Sequence, residues 1–74
     1  MKKLGIKLAK VLDVIYSDCF AVVKDAEVIE TVNAKDTPTV ENLEAMRRVW
    51  QIAEDGAVVV RMYAEENVLV LVIE

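Results

Sequence analysis

The 74 residues predict an α+β domain with the element order α-β-β-α-β-β, an antiparallel sheet with two helices packed on it. Three observations lead there. Four short runs are rich in β-branched, aliphatic or aromatic residues. They fall into two pairs, each joined by a polar stretch of turn length. Ahead of each pair lies a segment whose apolar residues recur at three and four.

The first of these segments, Lys3 to Tyr16, carries Leu4, Leu8, Val11, Leu12 and Ile15 on one stripe, with Lys3, Lys7 and Lys10 on another flank. This spacing predicts a helix, although lysines in a first turn oppose the helix dipole. The competing strand, alternating Ile6, Leu8, Lys10, Leu12 and Val14, would place Lys10 among buried side chains.

Cys19 to Val32 reads as a hairpin. Phe20-Ala21-Val22-Val23 and Val28-Ile29-Glu30-Thr31-Val32 are strand-forming runs, separated by Lys24-Asp25-Ala26-Glu27. No Asn-Gly or Asp-Gly marks the turn. A polar connector, Asn33 to Thr37, follows. Thr37 is the expected cap of a second helix that opens on Pro38. Its apolar positions are Val40, Leu43, Met46, Trp50 and Ala53, Glu44 and Arg48 form an i,i+4 pair, and Gly56 supplies the stop. Ala57 to Ala64 and Val68 to Ile73 make the second hairpin around Glu65-Glu66-Asn67, where Asn67 tolerates a left-handed conformation.

Residues 1–74 are read as one domain, since a chain of this length has room for little more. A single cysteine, Cys19, cannot form an intramolecular disulfide, which favours a reducing, cytoplasmic setting. No targeting segment is expected, because Lys7 and Lys10 interrupt the apolar stretch that would follow Met1-Lys2-Lys3. The longest apolar run, Val68 to Ile73, is far shorter than the ~20 residues of a membrane-spanning helix.

The net charge of −4 is the wrong sign for binding phosphate backbones, so nucleic acid is not an expected partner. Charge is also uneven. Four lysines are the only charged residues before Asp13, leaving −8 on the remainder.

Catalytic chemistry has little to work with. There is no histidine, which removes the usual general base, zinc ligand and activator of a cysteine nucleophile. Two distant glycines, Gly5 and Gly56, build neither a phosphate loop nor a dinucleotide fingerprint. Glu54-Asp55 and Glu65-Glu66 read as solvated turn acids, and Cys19 as a small buried thiol. No catalytic, metal or cofactor residues are assigned, and an enzyme is not expected.

Apolar surface points instead to association. Ala57-Val58-Val59-Val60 and Val68 to Ile73 are apolar at consecutive positions, so both faces of the sheet need covering. Either the helices take one face each, or both take one face and a second subunit takes the other. Met46, Arg47 and Trp50 on the second helix, together with Val58 and Val60 on the third strand, are the candidate interface residues.

The segment Phe20-Ala21-Val22-Val23-Lys24-Asp25-Ala26-Glu27-Val28-Ile29, then Val59-Val60-Arg61-Met62-Tyr63, then the apolar strand Val68 to Ile73, stand in an order that resembles the Roadblock/LC7 family of small profilin-like domains. The resemblance spans nearly the whole chain by element order. It implies a homodimer or heterodimer with a sheet continuous across subunits, a non-enzymatic platform for a small GTPase or a motor or scaffold complex. Two features depart from the family: no glycine lies between Lys24 and Glu27, and no residues after Glu74 supply its further strand and frequent last helix.

The reading that follows is a cytoplasmic, homodimeric protein-protein interaction module, in which the second helix and an edge strand make the self-contact. The alternative is a small-molecule binding or sensing domain, with an apolar pocket between sheet and helix near Tyr16, Phe20 and Tyr63.

Overall fold

Two tight turns organise the sheet. Asp25-Ala26 and Glu66-Asn67 all sit at positive φ, between 49° and 68°, the backbone requirement of the two-residue hairpin loop whose twist matches the flanking strands. The computed structural model describes residues 4–15, 19–33 and 39–74. Along these, β1 is Ile6–Lys7, α1 Leu8–Val14, β2 Cys19–Lys24, β3 Glu27–Asn33, α2 Val40–Glu54, β4 Val58–Glu65 and β5 Val68–Ile73.

Both expected hairpins form, β2 with β3 and β4 with β5. The α+β class holds, but the sheet is mixed rather than wholly antiparallel. Its order is β1-β4-β5-β2-β3, and β2 and β5 meet in parallel at the centre. The long connection through α2 carries the chain across a helix layer, which lets a parallel neighbour form. Each hairpin also contains a register shift, leaving Ile29 in β3 and Val60 in β4 as the extra residues of bulges.

The first segment divides rather than forming one helix from Lys3 to Tyr16. Ile6 and Lys7 pair with Val59 and Val58, and the seven-residue α1 begins at Leu8. The backbone N–H of Leu8 donates to the carbonyl of Ala57 at 2.9 Å, anchoring that switch from strand to helix. Lys3 and Tyr16 lie outside the described residues. Lys10 is exposed, so the helix avoids the cost that an extended strand would have imposed on it.

The second helix starts two residues later than its expected cap. Thr39, not Thr37, is the N-cap: its hydroxyl oxygen accepts from the Asn42 backbone N–H at 3.1 Å. Thr37 and Pro38 lie outside the described residues. Asn42 also reaches the sheet, its Oδ1 accepting from the backbone N–H of Asn33 at 3.2 Å. Gly56 ends the helix at φ 94°, in the role expected of it.

Both helices lie on one face of the sheet. Leu8 and Val11 of α1 and Ala45, Val49 and Ala53 of α2 share one apolar core with Phe20, Val22, Val32, Val59, Leu71 and Ile73. The buried stripe of α2 is therefore Ala45-Val49-Ala53, spaced by four, and differs in phase from the expected Val40-Leu43-Met46-Trp50-Ala53. Two alanines let the helix axis sit close to the strands. Met46 and Trp50 pack as partly buried flanks, while Val40 and Leu43 are 71% and 61% exposed.

Candidate interaction surface

Strand alternation divides the sheet between two environments. Phe20, Val22, Leu71 and Ile73 point into the helix layer. Their neighbours Ala21, Val23, Val70 and Val72 point the other way, where no described element covers them. Ala21 and Val70 are nevertheless 6% and 7% exposed although they lie outside the main core. They pair across β2 and β5 at the middle of the sheet, and larger neighbours shade them.

Around that centre the uncovered face stays apolar. Val23, Val28 and Val72 line a trough of about 440 Å³ with Ala26, Arg61 and Tyr63. Val28 is 63% exposed. The Arg61 guanidinium lies over the Tyr63 ring, 5.5 Å from its centre, so the two residues share this face. Glu65, two further along β4, shares it by alternation.

The two sheet edges are unequally protected. On β3, Glu30 points inward to the helix layer, where Arg48 of α2 binds its carboxylate through Nε to Oε1 and through a second bond to Oε2 at 3.2 Å. The hydrogen bond to Glu30 is the chief cause holding the Arg48 guanidinium above its already high pKa; desolvation works against it, and the charges of Glu30 and Glu44 add to it. Arg48 is thus fastened to β3, and Glu44, its expected helical partner, contributes only at longer range. A bulge and an inward-pointing charge both discourage strand addition at β3. Glu74 guards no edge, because β5, which precedes it, is the central strand.

At the opposite edge, β1 is only two residues long. It pairs with Val58 and Val59, and the Leu4 N–H donates to the Val60 carbonyl at 3.0 Å. Among the described residues nothing pairs with the outer edge of β4 beyond that point.

The candidate interface residues separate accordingly. Met46 and Trp50 lie against the core on one flank of α2, and Arg47 is exposed beside them. Val58 and Val60 are half-buried in the part of β4 that β1 covers. They do not converge on one patch with the helix residues. The strand residues that do reach open surface, Arg61, Tyr63 and Val28, carried a weaker sequence signal, because their exposure follows from which faces the helices occupy.

Phe20 and Tyr63 point to opposite sides of the sheet, so they cannot line one pocket; Tyr16 lies outside the described residues. A concavity of about 270 Å³ does open at the far end of α2, between Lys24, Ile29, Ile52, Asp55 and Ile73. Cys19 is half-buried at the start of β2. Among the described residues, no three His, Cys, Asp or Glu side chains are grouped to hold a metal, and no helix is long and apolar enough to cross a membrane. No protein-family model, curated protein or solved structure matches the chain.

Proposed function

We propose that this chain is a non-enzymatic protein-protein interaction module that works as a homodimer. The observation supporting this reading is the placement of both helices on one face of the sheet, which leaves Val23, Val28, Val72 and Tyr63 open on the other. Leaving apolar area wet forfeits about 25 cal/mol per Å². For a domain whose whole stability is on the order of 5 kcal/mol, covering that area by association is a substantial gain.

A self-complementary contact between two copies is the commonest form of association among small soluble chains, and it sets two such open faces side by side for a further partner to cover. In the proposed assembly a sheet edge makes the self-contact, and the open face together with the exposed flank of α2 meets another protein. The biological setting, a cytoplasmic platform for a small GTPase or a motor or scaffold complex, belongs to the proposal through the Roadblock/LC7-like element order alone.

Sedimentation equilibrium between about 1 and 100 µM tests the reading, on the affinity scale where weak dimers exchange with monomers. The expected result is a folded species moving toward twice 8.3 kDa as concentration rises. A folded monomer throughout that range overturns it.

A further inference from the structure

We infer that the concavity at the C-terminal end of α2 is a binding site for a free amino acid with a branched aliphatic side chain, such as leucine. Asp55 holds its ammonium, Lys24 its carboxylate, and Ile29, Ile52 and Ile73 its side chain. The inference stands apart from the homodimer reading and needs no second copy.

The site follows from how the elements around it end. α2 closes at Glu54, and Gly56, at φ 94°, turns the chain toward β4. A Cβ built on Gly56 meets nothing within 4 Å beyond the adjoining residues, so space is open beside that turn. On the sheet side, the register shift between β2 and β3 makes Ile29 an extra residue, and its side chain borders the cavity. About 270 Å³ of space results, between a helix wall of Ile52 and Asp55 and a sheet wall of Lys24, Ile29 and Ile73. All the lining residues belong to the continuously described stretches 19–33 and 39–74. The volume lies just below the ~300 Å³ at which pockets for drug-sized ligands begin, which suits a molecule of amino-acid size.

The floor is apolar. Ile73 is 5% exposed and belongs to the core, Ile52 packs against that core from α2, and Ile29 stays 38% exposed beside them. An aliphatic ligand side chain laid on these three residues removes apolar area from water on both sides of the contact.

The walls carry charge of both signs that is not spent within the chain. Among the described residues no ion pair engages Lys24. The Asp55 carboxylate accepts from Gln51 Nε2 at Oδ1, 3.4 Å away, which leaves Oδ2 for a ligand. Asp55 also stands at the negative end of the α2 dipole, where a cation is favoured. Lys24 repels a ligand that is only a cation, and Asp55 repels one that is only an anion. A zwitterion satisfies both. Glu74, which also borders the cavity, adds negative charge and reinforces the requirement for an ammonium. The trough on the open face of the sheet differs, because Arg61 is the one charged residue lining it.

Methyl and amide NMR of the full chain tests this with three probes that share one side chain: L-leucine, isopentylammonium, which lacks the carboxylate, and isocaproate, which lacks the ammonium. L-leucine should shift the methyl resonances of Ile29, Ile52 and Ile73 saturably, with a Kd of about 1 mM or below. Each single-charge probe should bind roughly tenfold more weakly, since it leaves one wall charge without a partner. Lys24→Met should remove the preference for L-leucine over isopentylammonium, and Asp55→Asn the preference over isocaproate. Both side chains are exposed, and circular dichroism of each variant checks that it is folded. Three probes of equal affinity, preferences unchanged in the variants, or isoleucine methyls that stay unmoved up to about 20 mM L-leucine overturn the site. A chain that binds L-leucine as a monomer keeps the site and loses the homodimer, and a dimer indifferent to L-leucine does the reverse.

Discussion

The Arg48 guanidinium of α2 holds the Glu30 carboxylate of β3 at two points, and the two ends of this bridge differ in environment: the Arg48 side chain is 56% exposed and that of Glu30 only 15%. Removing Arg48 strands a carboxylate in a mostly enclosed site, whereas removing Glu30 releases a guanidinium that water solvates readily. Arg48→Ala should therefore lower the melting temperature more than Glu30→Ala does. Thermal melts of the two single variants and their double, followed by circular dichroism, check the ordering. The reverse ordering would mean that the bridge does not confine Glu30.

The phase of α2 makes a second prediction. Val49 is fully buried against the strands, and Leu43, six residues earlier, is 61% exposed. Val49→Ala removes two methyl equivalents and leaves a cavity, which should cost about 2 kcal/mol. Leu43→Ala should change the stability of the folded monomer by no more than about 0.5 kcal/mol. Urea denaturation at low protein concentration measures both, and a large loss at Leu43 would show the helix rotated from its described position.

Much of this architecture is legible in the residues, and the parts that are not share a physical cause. Phe20 to Val23, Val28 to Val32 and Val68 to Ile73 announce strands because runs of β-branched and aromatic side chains fit a pleated, half-buried surface. Gly56 announces a helix end because few other residues take its positive φ. The parallel contact of β2 with β5 joins residues some fifty positions apart, such as Phe20 with Leu69, and no local pattern encodes it. The facing stripe of α2 was obscured because Ala45 and Ala53, weak as hydrophobic signals, are the residues that fit against the sheet. Met46 and Trp50 are larger and more conspicuous, and they lie on the flank. Arg48 has a local partner in sequence, Glu44, and a distant one in space, Glu30; the distant one prevails because β3 passes beneath the helix. Exposure of Val28 and Tyr63 follows only once both helices are known to share a face.

The hairpin turns store a conformational cost that substitution can release. Ala26 sits at φ 65° with a Cβ that disfavours this region, normally by about 1–2 kcal/mol. Glycine takes the same conformation freely but loses more entropy on folding. Ala26→Gly should on balance stabilise the chain by roughly 0.5–1 kcal/mol. The mirror experiment is Gly56→Ala. At φ 94° nothing beyond the adjoining residues lies within 4 Å of the added Cβ among the described residues, so the loss, about 1 kcal/mol, is conformational rather than a packing clash. Urea midpoints should move in opposite directions for the two variants with unchanged m-values. Equal signs would contradict the positive-φ geometry at one of them.

Two exposed apolar surfaces compete as the main adhesive face, and a pair of lysine substitutions distinguishes them. Val28 is 63% exposed on the open side of the sheet beside Val23, Val72 and Tyr63, whereas Val40 and Leu43 lie on α2, in the layer covering the other side. A charge placed inside a contiguous apolar patch breaks it into smaller pieces, while one placed beside scattered residues changes little. Val28→Lys should therefore elute earlier than wild type from a phenyl matrix in a falling salt gradient, with Leu43→Lys shifted less. Both positions are solvent-facing, so stability should stay within about 0.5 kcal/mol of wild type. A larger shift for Leu43→Lys would reassign the dominant apolar surface to α2, and with it the surface offered to a partner protein.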